Sequence, residues 1–248
     1  MNDPAPPDTS PTLESRRLTL RELARHARPR REGLFPDLVS DYEEYHEHVD
    51  TGHLLRARLI APWIETSARV LDAGCGDGLM AESLARDRGA RVEGLDISET
   101  AVRKTQARGI LARVQNLDAD PTLPTGFDYI LFIEVLEHLQ RPHLVLREAV
   151  RKATRAVIVT IPNSGWIGYR LDVLSGHAPV QSFTHLHLWS HLDFIAFCRR
   201  LRLPEPEVRF LASESGLRRR VIARWPNLMA HQLAYRLPSD HGEIASLK

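Results

Sequence analysis

The stretch Val70-Leu71-Asp72-Ala73-Gly74-Cys75-Gly76-Asp77-Gly78 decides how this chain folds. Two apolar β-formers lead into an acid, and three glycines follow at every second position. An apolar helical pattern, Leu79-Met80-Ala81-Glu82-Ser83-Leu84-Ala85, takes over at once. A strand, a tight glycine turn and a helix N-terminus in that order let a backbone approach a ligand closely. The spacing is G-x-G-x-G, with the third glycine one position earlier than in the dinucleotide fingerprint. Asp72, two residues ahead of the first glycine, would repel a pyrophosphate but could hold an ammonium group. The pattern therefore favours a cationic amino acid attached to a nucleoside over a dinucleotide. The plainer alternative is an ordinary βα turn.

Three downstream segments bear on that choice. Val92-Glu93-Gly94-Leu95-Asp96-Ile97-Ser98 reads as a second buried strand ending in an acid, roughly twenty positions after the glycines. An acid there can accept hydrogen bonds from both ribose hydroxyls. Ser98 is the more natural cap for the helix expected near Thr100, which leaves Asp96 for the ligand. Leu117-Asp118-Ala119-Asp120 follows a third apolar run, Ile110-Leu111-Ala112-Arg113-Val114. Either acid in it also suits a turn before Pro121. Phe127-Asp128-Tyr129-Ile130-Leu131-Phe132-Ile133-Glu134-Val135-Leu136-Glu137-His138-Leu139 reads as a fourth strand. Its carboxyl end lies where ligands sit in open parallel sheets.

Together the four segments resemble the motifs of class I S-adenosylmethionine-dependent methyltransferases. The resemblance implies that Asp72, Gly74, Cys75, Gly76 and Gly78 surround the cofactor's amino acid end. It places Asp96 and Ile97 at the ribose. Asp118, with Asp120 in reserve, takes the adenine amino group, Ala119 packs on the ring, and Glu134 holds the cofactor's amino group. Further on, Pro162-Asn163, Gly168-Tyr169-Arg170, Gly176, Pro179-Val180, His185-x-His187-x-Trp189 and Asp193-Phe194 look like MetW-related methyltransferases. That similarity runs from about Arg69 to Leu211. The Glu134-Val135-Leu136-Glu137-His138 pattern is instead common in broader small-molecule methyltransferases, so a role in methionine biosynthesis is not carried over.

The expected fold is α/β: a doubly wound, mostly parallel, seven-stranded Rossmann-like sheet with N-terminal helices and an insertion after the fifth strand. Residues 1–13 read as a disordered tail, 14–66 as a helical lid segment, and 67–248 as the methyltransferase domain, with 164–190 as its substrate-side insertion. Seven arginines between Arg16 and Arg31 form a basic helical stretch, read as a solvated face or a contact with an anionic partner. Tyr42, Tyr45 and His46 are lid candidates or simple helix packing. Arg141 to Lys152 reads as a helix, and Arg155 to Asn163 as a fifth buried strand. Glu207 to Leu211 and Leu233 to Leu237 should close the sheet as an antiparallel pair.

At 248 residues the chain holds one α/β domain with additions and is too short for two full enzymatic domains. The formal charge of +1 gives no global electrostatic case for nucleic acid or an anionic membrane. Two cysteines, Cys75 in the glycine loop and Cys198 in a helical pattern, suggest neither a disulfide nor a metal framework. No apolar run approaches membrane length, and the first residues are no signal peptide. A cytoplasmic enzyme is expected.

For chemistry, a sulfonium methyl needs chiefly a nucleophile held in line, and an oxygen nucleophile must also lose a proton. His138 is the leading general base, with an ordinary imidazole pKa near working pH, and His185 is its candidate companion. The alternative for His138 is packing under the next helix. A divalent metal on Glu134, Glu137 and His138 with His185 or His187 is the second arrangement, since residues 134, 137 and 138 share a face if a helix starts there. Similar E-x-x-E-H patterns bind metal in ubiquinone-pathway O-methyltransferases and small-RNA 2′-O-methyltransferases. The favoured function is O-methylation of a small molecule. The alternatives are an RNA 2′-O-methyltransferase-like enzyme, disfavoured by charge, and a non-catalytic cofactor-binding accessory subunit.

Overall fold

The computed structural model describes residues 52–176, 184–210 and 217–239, and the side chains within these apart from residues 52–54 and 217–219. All lie in one compact unit, Pro36–Lys248, while the unit Met1–Phe35 falls outside them. The arginine-rich stretch and the lid candidates Tyr42, Tyr45 and His46 are outside the described residues, as are His177 and Pro179-Val180.

The chain enters through α1 (Gly52–Ile60) and a short 3-10 turn, then lays down β1 (Arg69–Ala73), α2 (Leu79–Arg88), β2 (Arg91–Asp96), α3 (Glu99–Ala107) and β3 (Leu111–Val114). A second half follows with β4 (Tyr129–Ile133), α4 (Pro142–Lys152), β5 (Ala156–Pro162) and α5 (Ile167–Leu174). It closes with α6 (His191–Arg200), β6 (Glu207–Phe210), α7 (Leu217–Arg224), α8 (Pro226–Met229) and β7 (Gln232–Pro238). The expected insertion therefore carries a helix, α5, none of whose residues is buried.

The seven strands run in the order β3-β2-β1-β4-β5-β7-β6. β1, β2, β3, β4 and β5 pair in parallel, and β7 runs antiparallel to both β5 and β6. The fold class read from the sequence is the one observed. Every residue of β4 and β5 is buried, as central parallel strands covered on both faces require. Strand alternation sends Tyr129, Leu131 and Ile133 to a core shared with α1 and α2. Ile130 and Phe132 go to the opposite core, with α4, α6 and β7. Truncating a side chain such as Phe132 to alanine would cost about 3–5 kcal/mol.

The order reverses between β1 and β4, where strands on either side leave in opposite directions. Open sheets of this kind present their ligand crevice at that point, outside the strands' carboxyl ends. Because β7 is antiparallel, its first residue, Gln232, stands beside the last residue of β5, Pro162. The crevice edge is thus formed by the ends of β2, β1, β4 and β5 and by the start of β7.

Candidate active site

The glycine turn is bound to its neighbours by backbone geometry. Gly74, Gly76 and Gly78 have φ of 96°, 55° and 80°, a region that L side chains rarely adopt. A Cβ on Gly74 would also overlap Val135, just past β4. A Cβ on Gly78 would meet Thr105 at 2.8 Å. Thr105 in turn donates its hydroxyl to the Gly76 carbonyl at 2.9 Å, so α3 supports the turn from below. Cys75 is buried against Gly94 of β2, where a Cβ would come within 2.6 Å of its sulfur. Both Cys75 and Cys198 are free thiols, and burial pushes Cys198 up to about 12.

Asp96 ends β2 and accepts the Gly76 N–H at 2.9 Å and the Ser98 N–H at 3.0 Å. Ser98 caps α3 by accepting from Ala101 N at 3.0 Å. Ser98 caps the helix as expected, and Asp96 meanwhile accepts two backbone N–H groups. Asp96 is already engaged on both oxygens, and a ribose would share lone pairs with the backbone. Ile97 beside it is half-buried.

Asp72 differs from every other acid around the turn. It is fully buried, and neither carboxylate oxygen has a hydrogen-bond partner. Burial, with the nearby charge of Asp96, pushes it up to about 8. An ammonium group would satisfy both oxygens and restore the ionised form. These residues fit the amino acid end of S-adenosylmethionine.

Asp118, expected at the adenine, accepts from Gln140 N at 2.9 Å and from Arg141 N at 3.3 Å. It thereby ties its loop to the start of α4. Ala119 is exposed. Asp120 accepts from Thr122 N at 3.0 Å and acts as a turn residue.

At the end of β4 the chain turns through Glu134, whose φ is 57°. Only Leu136–His138 form the following 3-10 turn. Glu134 is thus not on one helical face with Glu137 and His138. Instead it accepts from the Thr160 hydroxyl at 3.0 Å and faces Arg56 Nη2 at 3.8 Å. With its amide turned to satisfy the guanidinium, Gln232 accepts through its side-chain oxygen from Arg56 Nε at 3.1 Å and Nη2 at 2.7 Å. Arg56 and Gln232 drew no notice in the sequence, because a lone arginine in α1 and a glutamine opening β7 carry no motif.

Glu137 is 1% exposed and neither of its carboxylate oxygens has a partner. Burial, then the charge of Glu134, holds it well above the usual carboxylate range. His138 Nδ1 lies 3.1 Å from the Thr184 carbonyl, which can only accept, so Nδ1 carries the hydrogen and Nε2 is the basic nitrogen. Burial first, and His185 second, pull His138 down to about 4. That corrects the ordinary pKa expected of it. The rings of His138 and His185 meet edge to face at 4.6 Å.

The candidate metal set changes accordingly. One ligand atom each from Glu137, His138 and His185 lie within 4.8 Å of one another. Glu134 and His187 do not join them. His187 lies with Nε2 2.9 Å from the Leu139 carbonyl and stacks on Trp189 at 5.1 Å.

A family profile described as "Methionine biosynthesis protein MetW" matches residues 56–237. The chain belongs to the MetW family. Among curated relatives, the ubiquinone biosynthesis O-methyltransferase of Albidiferax ferrireducens is 33% identical over 107 residues, covering 40% of this chain and 39% of that protein. Its namesake from Xanthomonas oryzae pv. oryzae is 37% identical over 91 residues, covering 34% and 38%. This MetW-family chain thus matches about two-fifths of the length of such relatives. Among solved structures, a chain of the complex between the Haloferax volcanii Trm112 methyltransferase activator and a methyltransferase superposes with a TM-score of 0.62 at 16% identity, covering 84% and 100%. Magnesium protoporphyrin IX methyltransferase from Synechocystis, solved with bound S-adenosylhomocysteine, gives 0.52 at 18% identity, covering 84% and 90%. At such identities the likeness is one of fold, the class I methyltransferase fold. Among the described residues, no helix is long and apolar enough to cross a membrane.

Proposed function

We propose that this MetW-family chain is an S-adenosylmethionine-dependent methyltransferase that acts on an oxygen of a small-molecule acceptor. The observation that carries the reading is Asp72, a fully buried carboxylate without a partner beside a three-glycine turn. When bound, S-adenosylmethionine supplies a methyl group on a positively charged sulfur.

In this reading Asp72 holds the cofactor's ammonium, and Asp96 adds its remaining lone pairs to the ribose. The glycine turn leaves room for the ligand between β1 and α2. Holding acceptor and methyl in line supplies several kcal/mol of the barrier reduction, about 7 kcal/mol or more in well-oriented cases. His138 Nε2 takes the acceptor's proton, and the Thr184 carbonyl fixes the ring tautomer that leaves Nε2 basic. The lowered pKa keeps the ring neutral, and thus able to accept, throughout the neutral range. Oxygen is favoured as the acceptor atom by this base and by the names of the curated relatives.

The trio Glu137, His138 and His185 favours a second arrangement. One carboxylate and two imidazoles would suit a divalent ion such as Zn or Mn, held by Glu137, His138 and His185, and such an ion would supply Lewis acidity.

Calorimetric titration with S-adenosylmethionine and S-adenosylhomocysteine, with EDTA or with added Mg, Mn or Zn, tests both. Micromolar binding insensitive to metal supports His138 as the base, and metal-dependent binding supports the second arrangement. A folded protein that binds neither compound ends the methyltransferase reading. Binding without turnover of any hydroxyl acceptor would bring forward an accessory role.

A further inference from the structure

Strand order says where an acceptor must approach. The glycine turn follows β1, Glu134 follows β4, Trp166 comes four residues after the end of β5, and His231 immediately precedes β7. Neighbouring strands lie about 4.8 Å apart, so the end of β5 stands roughly 10 Å from the glycine turn along one edge.

Three rings gather there. Trp166 meets Tyr169 edge to face at 5.3 Å and His231 at 5.0 Å, while Tyr169 and His231 are 5.7 Å apart. The Tyr169 hydroxyl and His231 Nε2 share a hydrogen at 3.0 Å. None of the three belongs to either core, and His231 is exposed. Burial raises the Tyr169 phenol, helped by the charge of Glu134, and lowers His231, helped by Arg56. His231 directly precedes Gln232, whose amide reaches Arg56, and Arg56 in turn faces Glu134.

The chain builds this cluster with care for its backbone. A Cβ on Gly168 would overlap the six-membered ring of Trp166, so only glycine lets that indole lie across the first turn of α5. Asn163 anchors the base, donating to the Ala230 carbonyl at 2.6 Å and the Asn227 carbonyl at 3.0 Å. Arg170 Nε donates to the Gly165 carbonyl at 2.7 Å. Part-exposed rings held this firmly are preorganised for a ligand rather than for packing.

We propose that Trp166, Tyr169 and His231 are the seat of the methyl acceptor, and that the acceptor is a planar aromatic ring bearing more than one hydroxyl. The ring packs on Trp166 in the offset or edge-on geometries that aromatic quadrupoles favour. A ring hydroxyl other than the one His138 deprotonates joins the Tyr169–His231 hydrogen bond. This inference rests on the methyltransferase reading for the identity of its ligand.

The test titrates the full chain, with and without S-adenosylhomocysteine, using three probes: catechol, cyclohexane-1,2-diol and tetramethylammonium. Catechol should bind about tenfold more tightly than the saturated diol, the upper scale of an aromatic pairing. Trp166→Leu should remove that preference and Tyr169→Phe should reduce it, each leaving S-adenosylhomocysteine affinity unchanged. Equal affinity for the two diols, a preference that survives Trp166→Leu, tighter binding of the cation, or no measurable catechol binding would each overturn the proposal. A chain that binds S-adenosylhomocysteine but treats the probes alike keeps the methyltransferase reading and loses the seat. One that prefers catechol through Trp166 but never binds S-adenosylhomocysteine does the reverse.

Discussion

Gly76 donates its backbone N–H to Asp96 at 2.9 Å, so the glycine turn after β1 and the acid ending β2 are one hydrogen-bonded unit. Asp96→Ala should weaken S-adenosylmethionine binding by about 1.5–3 kcal/mol, the scale for hydrogen bonds to a charged group. It should also lower the melting temperature, because the Gly76 and Ser98 N–H groups lose their acceptor. Calorimetry and thermal unfolding read the two effects separately. An unchanged dissociation constant would take Asp96 out of the ligand site.

Asp72 predicts proton release on cofactor binding. In the folded chain its carboxyl titrates at about 8, against 3.8 ordinarily. Between those values the folded chain keeps a proton that the unfolded chain has lost, so stability falls as pH rises through that window and levels off above about 8. An ammonium beside Asp72 reverses the shift and expels the proton. Titrations near pH 7 in two buffers of different ionisation enthalpy should show that release, and Asp72→Asn should abolish it. Identical heats in both buffers would refute the contact.

Gly74 combines two constraints that mutation can separate. Gly74→Ala should abolish cofactor binding and destabilise the fold, because the new methyl overlaps Val135 and φ is 96°. Val135→Ala in the same chain relieves the overlap only. The remaining backbone strain, about 1–2 kcal/mol, should keep the double variant less stable than Val135→Ala alone. Differential melting checks the order, and full recovery would mean the strain is negligible.

His138→Ala should leave S-adenosylhomocysteine binding intact and cut turnover of a hydroxyl acceptor by about 10²–10⁴-fold. Because His138 titrates at about 4, the acidic limb of kcat/KM should fall near that value and not near 6.5. The base is lost as pH drops through its pKa and is fully available above it. An acidic limb near 6.5 would assign the proton to another group.

Replacing Glu137, buried and without side-chain partners, by glutamine should cost little stability, because burial already favours the protonated carboxyl that the uncharged amide resembles. If a metal is used, the same change should raise its dissociation constant by about 10-fold or more. A variant with unchanged metal-dependent binding would exclude Glu137 as a ligand.

Much of the architecture was legible in local pattern. The β1 turn is encoded by glycines that positive φ demands, β4 and β5 by continuous apolar runs, and the start of α3 by a serine cap. Gly94 carried a weaker signal, a glycine inside a strand, whose reason is the Cys75 side chain lying on it. The helix α5 was missed because its apolar residues face outward, so no buried stripe announces it.

By itself, then, the sequence determined the seven strands, the doubly wound order and the place of the glycine turn, because hydrophobic period and backbone conformation are local properties. Only the tertiary structure decided how side chains distant in sequence meet. It separated Glu134 from Glu137 by a left-handed turn and, of the two histidines the sequence offered, set His185 beside His138. It brought Arg56 to Glu134, and Gln232 to Arg56, across the sheet. It left Asp72 buried without a partner, holding a proton up to about pH 8 that an ammonium ligand would expel. Burial and partnership set the protonation of Asp72, Glu137 and His138, and both are products of packing that no one-dimensional pattern contains.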